Sequence, residues 1–235
     1  AAAAPFILSG RSAFADEFGG MKKRVGLIGT GWYGKADLLR LVQVAPVEVV
    51  SLCDVDSVML KEAGDLTASR QLSKKIPRLY QDYREMLKEK DLDIVLIATP
   101  DHWHALPMID AVKAGADVYV QKPTGVDVVE SAAMVAAARK YGRVVQVGTQ
   151  RRSDSGLIAV AQAIQNGAIG KVTRVSMDYH FQSPRWNKDL SNVRAEDVDW
   201  EAFQFGGRIT GPFNARKLRE WQLFPAGANQ DHAEN

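Results

Sequence analysis

Four groups of residues carry types and spacings that could do chemistry. Gly29, Gly31 and Gly34, within Val25-Gly-Leu-Ile-Gly-Thr-Gly-Trp-Tyr-Gly34, fit the pattern G-x-G-x-x-G. In such a loop the first glycine permits a tight turn and the second lets a pyrophosphate approach bare backbone. The third lets the following helix pack close to the strand, and the helix start offers free N–H groups to the phosphates. Thr30, Trp32 and Tyr33 fill the loop and belong to the same candidate cofactor site. Asp54 stands 20 residues beyond Gly34, the distance at which a second strand ends beside an adenosine ribose and a carboxylate can accept from both hydroxyls. An acid there favours NAD over NADP, whose 2′-phosphate would meet like charge; the alternative is that Asp54 caps the next turn with Asp56 and Ser57. The third group is Thr99-Pro-Asp-His-Trp-His104, and the fourth is Lys122, held by Pro123.

These groups need a frame that brings them to one edge. Arg24–Ile28 reads as a buried strand and Trp32–Gln43 as a helix, followed by the β-branched strand Val47–Cys53. Val58–Arg70 and Gln81–Lys90 have helical spacing and flank a connector or strand at Ile76–Leu79. Asp93–Ala98 is apolar on both faces, as a central parallel strand covered by helices must be. Helix Ala105–Ala114, strand Asp117–Val120, helix Asp127–Tyr141 and strand Val144–Val147 complete an alternation of strand and helix. Such alternation predicts an α/β fold with a doubly wound parallel sheet, its ligands at the carboxyl ends of the strands. Lys122 and His102 then reach the same crevice. Further on, Gly156–Asn166 reads as a helix, and Lys171–Gln182 alternates with period two, the mark of a strand with one wet or ligand-facing side. The rest of the chain is irregular, so the expected domains are a dinucleotide-binding unit over 21–148 and part of a substrate-binding unit over 149–235.

Composition narrows the function classes. The 30 basic and 28 acidic residues leave a net charge of +2 with no basic block, so nucleic acid is not the expected partner. No stretch approaches the roughly 18 apolar residues of a membrane span. The single cysteine, Cys53, reads as a buried core residue. In residues 1–20 an apolar run precedes Ala13-Phe14-Ala15, which has signal-peptidase spacing. This reads as the remnant of an export signal and implies a periplasmic or exported protein; if Met21 is the true start, the protein is cytoplasmic.

The groups Gly29-Thr-Gly-Trp-Tyr-Gly34, Ala98-Thr-Pro-Asp-His-Trp-His104, Tyr119-Val-Gln-Lys-Pro123, Gly148-Thr-Gln-Arg-Arg152 and Gly167-Ala-Ile-Gly-Lys171 together resemble the Gfo/Idh/MocA oxidoreductases. That family includes glucose-fructose oxidoreductase and inositol dehydrogenase. The resemblance implies a Rossmann-type domain, a second domain on a large open antiparallel sheet, and hydride transfer between NAD, with NADP less favoured, and a sugar, polyol or related carbinol. It implies that Lys122 lies beside the substrate hydroxyl and polarises it or relays its proton. His102 is expected to line the nicotinamide or substrate pocket, and His104 to cap or pack the following helix. Trp103 either stacks near the cofactor or belongs to the core.

Thr99, Pro100 and Gln150 are expected to shape the cofactor crevice, and Arg151 and Arg152 to meet substrate hydroxyls. Tyr179 and His180 point to opposite faces of the expected strand, so at most one faces the site. Asp-His-Trp-His has no evident third ligand and is not read as a metal site.

Two departures from the family pattern stand out. Gln121 replaces the usual glutamate before Lys122, and Asn235, four residues after Asp231, stands where the family carries a substrate-facing histidine. The family's open sheet implies a homo-oligomer paired through its second domain. Two alternatives remain at this level: an NAD-dependent glycosidase working by transient oxidation, and a truncated, non-catalytic dinucleotide-binding protein.

Overall fold

A computed structural model describes residues 22–177, 189–204 and 211–220. Six strands lie in one sheet in the order β3-β2-β1-β4-β5-β6, every adjacent pair parallel. They are β1 Lys23–Ile28, β2 Val47–Cys53, β3 Arg78–Tyr80, β4 Ile94–Ile97, β5 Asp117–Gln121 and β6 Val145–Gly148. The order reverses between β1 and β4, so a crevice opens above their carboxyl ends.

Helices α1 (Trp32–Val44), α2 (Ser57–Arg70), α4 (Ala105–Ala114) and α5 (Val128–Tyr141) are the crossovers, and a single turn, α3 (Tyr83–Met86), follows β3. Two apolar layers hold the sheet. One joins Leu27, Val49 and Leu52 to Leu38 and Leu60 of the helices, and the other joins Val95, Ile97, Val118 and Val120 to Met108, Val112 and Met134. The central strands β1, β2 and β4 are covered on both faces, which is why they read as apolar runs rather than alternating ones, while the edge strands β3 and β6 are more exposed.

Helix ends follow local chemistry. The carboxylate of Asp56 accepts from the amides of Val58 and Met59, and Asp127 accepts from Glu130, while Gly115 and Gly142 close α4 and α5 in the left-handed conformation.

Two expectations are corrected. The helical spacing of Gln81–Lys90 yields only the turn α3, because Leu87 onward turns back toward β4 through ion pairs of Glu89 and Asp91 with Arg78. Lys171–Met177 forms no strand and is exposed throughout; without a neighbouring strand among the described residues, its alternation has no ladder to join. The remainder of that stretch, with Tyr179 and His180, lies outside the described residues, as do residues 1–20 and Asp231.

The helix expected at Gly156–Asn166 is present as α6 (Ser155–Gln165), preceded by Asp154, whose carboxylate accepts from Leu157. All of its residues are exposed, Leu157, Ile158, Val160 and Ile164 included.

The closest backbone approach is at the top of β1. Gly29 has φ +92°, and a Cβ there would lie 2.6 Å from the carbonyl carbon of Ala98. A Cβ on Gly34 would run into the carbonyl oxygen of Gly29. Gly34→Ala is therefore expected to destabilise the fold by about 1–3 kcal/mol through overpacking, measured as a lower urea midpoint. Gly31→Ala, whose added methyl meets nothing within 4 Å, should leave that midpoint close to the parent value.

Candidate functional site

The turn from β1 to α1 forms a cradle. Above Gly31 there is open space, and α1 begins with no side-chain cap and no acidic residue in its first turn. The helix start thus presents its amides and the positive end of its dipole to whatever anion lies over the loop. A Cβ at Gly31 would occupy that space, so the loop fits a pyrophosphate. Trp32 is largely exposed beside the loop and packs edge-on against Tyr33 at 4.8 Å.

Asp54, at the end of β2, organises the loop. One carboxylate oxygen accepts from the Thr30 amide at 2.6 Å and the Thr30 hydroxyl at 2.9 Å, and the other accepts from the Asp56 amide at 3.0 Å. Capping of α2 falls to Asp56, which leaves Asp54 for the loop. Burial raises the Asp54 pKa, opposed by these hydrogen bonds. Thr30, expected among the cofactor contacts, has a fully buried side chain turned onto Asp54. Its role is to join β2 to the loop.

A cleft runs from Gly29 and Asp54 across to Thr99, Pro100 and Trp103 at the end of β4. The Thr99 hydroxyl donates to the Trp103 carbonyl at 3.0 Å and closes the short turn Asp101–Trp103.

The two histidines depart from expectation. His102 is 1% exposed, lies edge-on to the Phe203 ring at 5.2 Å, and its Nε2 donates to the Phe203 carbonyl at 3.1 Å. Burial lowers its pKa to about 4, the bond to Phe203 opposing. The covered ring is not among the residues lining this cleft. Trp103 is the member of the pair that reaches the cleft.

His104 makes no side-chain cap on α4. Its ring sits between the carbonyls of Pro123 and Thr99 and so joins the loops after β5 and β4. A ring between two carbonyl oxygens donates to both only when protonated. Burial opposes that proton most strongly, the two bonds favour it, and the charge of Lys122 opposes it.

Lys122 ends β5 with its side chain exposed, on the same sheet edge as the cradle. Its neighbour Asp101 was not singled out by sequence. That carboxyl is 6% exposed, and burial pushes its pKa up to about 7, with the Lys122 charge pulling it down. Asp101 and Lys122 thus form a buried acid and an exposed cation at one edge, suited to holding and passing a proton.

Gln121 explains its own departure from the family pattern. Its side-chain amide donates to the carboxylate of Asp37 on α1. A glutamate at 121 would set two carboxylates against each other, whereas here the acid comes from the helix.

Gln150 is exposed on the short turn after β6, its amide donating to the Tyr119 hydroxyl at 3.3 Å; Arg151 and Arg152 are exposed on the same turn. Sequence also missed the far wall of the cleft. Val55, Gln81, Asp82, Tyr83 and Arg84 come from the ends of β2 and β3, and Ala202 and Phe203 from a segment distant in sequence. No local spacing connects those two residues to the glycine loop. Among the described residues no cluster of three or more histidine, cysteine or acidic side chains could hold a metal, and no helix is long and apolar enough to cross a membrane.

Comparison with known proteins agrees with this geometry. Residues 23–149 match the family described as "Oxidoreductase family, NAD-binding Rossmann fold". The chain is 31% identical over 153 residues to an inositol 2-dehydrogenase of Salmonella typhimurium, covering 64% of this chain and 44% of that protein. It is 30% identical over 186 residues to a glycosyl hydrolase family 109 protein of Stenotrophomonas maltophilia, covering 77% of this chain and 39% of that one. Among solved structures, the myo-inositol dehydrogenase of Lactobacillus casei in complex with NAD(H) and myo-inositol superposes with a TM-score of 0.56 at 27% identity, over 64% of this chain and 43% of that one. The chain spans less than half the length of each of these three relatives.

The Asp101 carboxyl provides a pH test. Its folded pKa of about 7 lies above the ordinary aspartate value of 3.8, so between these two values the folded state binds more protons than the unfolded one. Stability is then highest at the acid end and falls as pH rises toward 7. Asp101→Asn should raise the melting temperature at pH 8 by about 5 °C or more and change it little at pH 4, as followed by circular dichroism.

Proposed function

We infer the function of this chain from its family: it belongs to the Gfo/Idh/MocA oxidoreductases, whose members have an NAD-binding Rossmann fold. On that premise we propose that it is a nicotinamide-dependent oxidoreductase that moves a hydride between NAD and a carbinol of a sugar or polyol. The observation that carries this reading is the convergence, on one sheet edge, of a glycine cradle open above Gly31, the carboxylate of Asp54, and Lys122 beside Asp101. NAD, when bound, supplies the hydride acceptor.

The residues of the chain supply the rest. The amides of the glycine turn and the start of α1 hold the pyrophosphate. The Asp54 carboxylate accepts from the adenosine ribose hydroxyls and repels a 2′-phosphate. The ammonium of Lys122 donates a hydrogen bond to a substrate hydroxyl and so orients and polarises it, and the proton lost on oxidation passes to solvent or to the carboxylate form of Asp101 at the same sheet edge. Gln150, Arg151 and Arg152 sit on the turn after β6, from which hydroxyl contacts can be made. Residues 149–235 are proposed to belong to a substrate-binding unit whose open sheet also pairs two copies of the chain. Export is proposed on the sequence of residues 1–20 alone, and cell fractionation of the mature protein tests it.

A second reading is favoured by the likeness to a glycosyl hydrolase family 109 protein over 186 residues. It is an NAD-dependent glycosidase that oxidises its substrate transiently. Release of free sugar with no accumulation of NADH would select it over the dehydrogenase.

Two variants test the main reading. Asp54→Ala should weaken NAD binding by about tenfold, roughly 1.4 kcal/mol, and reduce the preference over NADP, both read by calorimetry. Lys122→Met should leave NAD affinity within about twofold of the parent while lowering turnover of a polyol by at least about 100-fold. Full activity in that variant would remove the role given to Lys122.

A further inference from the structure

We propose that the segments 195–204 and 211–220 form a strap across the adenosine half of the dinucleotide site, with Ala202 and Phe203 as part of the binding surface itself. This rests on the NAD-binding reading above and extends it to residues far from the Rossmann unit in sequence.

Both described segments of the strap are tied down. At its start, the Ser57 hydroxyl donates to the Asp197 carbonyl at 2.9 Å, Val198 makes an antiparallel bridge with Asp56, and the Asp199 amide donates to the Val55 carbonyl at 2.9 Å. In its middle is the turn α7 (Trp200–Phe203), where the Phe203 carbonyl accepts from both His102 Nε2 and the indole N–H of Trp103, at 3.1 and 2.9 Å. Near its end is α8 (Ala215–Arg219), where the Arg219 guanidinium meets the Asp56 carboxylate at 2.6 Å. Beneath it, Val198, Phe203 and Leu218 are buried together with Val55, Trp200 and Phe213.

Every anchor falls at the carboxyl end of β2 or β4, the two strands on either side of β1 and its glycine loop, with Asp54 at the end of β2. The cleft left between strap and sheet is lined by Gly29, Asp54, Val55, Pro100, Trp103 and Phe203, with Ala202 beside them. Its walls are mainly aliphatic and aromatic and its floor is the glycine turn; of its two carboxylates, Asp54 is where a ribose would be and Asp82 lies on the far wall. A flat apolar base joined to a ribose is the chemistry such a slot accepts. Because the strap covers the slot, it also limits how fast the ligand leaves.

The test uses the full chain with ADP-ribose and NADH as probes. Ala202→Trp places an indole in the slot and should weaken ADP-ribose binding by at least about tenfold by calorimetry, with the circular dichroism melt unchanged. Arg219→Gln, away from the slot, should release the strap's end and speed NADH dissociation by about tenfold in a stopped-flow displacement. A folded Ala202→Trp that binds ADP-ribose within about twofold of the parent overturns the proposal. If that variant does not fold, the NADH release rate of Arg219→Gln decides, and an unchanged rate overturns it. A parent protein that binds neither ADP-ribose nor NADH overturns the function proposed above instead.

Discussion

Helix α1 can sit directly on the end of β1 only because position 34 carries no Cβ, and much of the site depends on that contact. With the helix seated against the Gly29 carbonyl, its first turn opens onto the space over Gly31, and its dipole points at the carboxyl edge of the sheet. The Thr30 side chain is then turned inward to Asp54. This locks the end of β2 to the loop and leaves a slot between β2 and β4. A bulkier residue at position 34 would move the helix, the loop and the Asp54 partner together.

A second level of constraint lies at the ends of β4 and β5. His104 joins the Thr99 and Pro123 carbonyls, so the loop that lines the slot and the loop that presents Lys122 move as one body. Gln121 ties the same strand end to Asp37 of α1. The cation of Lys122 is thus held relative to the glycine cradle through short polar links on both sides. Asp101, buried at the same sheet edge and within reach of the Lys122 charge, is the group whose charge state responds to pH near neutrality. Cofactor end and proton-handling end are parts of one mechanical unit.

The sheet was largely legible in the sequence. Its central strands are buried on both faces, and their apolar runs, bounded by glycine, proline and polar turns, announce themselves locally. Where local pattern misled, the missing ingredient was a partner. Gln81–Lys90 has helical spacing but is drawn into ion pairs with Arg78, and Lys171–Met177 alternates like a strand without a neighbour to pair with. His102 and His104 illustrate the same limit. Two histidines two residues apart, on one turn, have different fates, decided by carbonyls about 100 and 19 residues away.

The sequence by itself determined the fold class, the glycine cradle, the acid at the end of the second strand and the lysine at the end of the fifth. Each depends on backbone conformations and strand burial that short stretches of chain encode. Only the tertiary structure decided which side chains face the crevice. It turned Thr30 and His102 inward, brought Asp101 within reach of the Lys122 charge, matched Gln121 to Asp37, and set the Phe203 carbonyl on the Trp103 indole N–H. These are contacts between residues far apart in the chain, set by the crossing of strands and the packing of segments over them, and no periodicity or spacing along the chain carries that information.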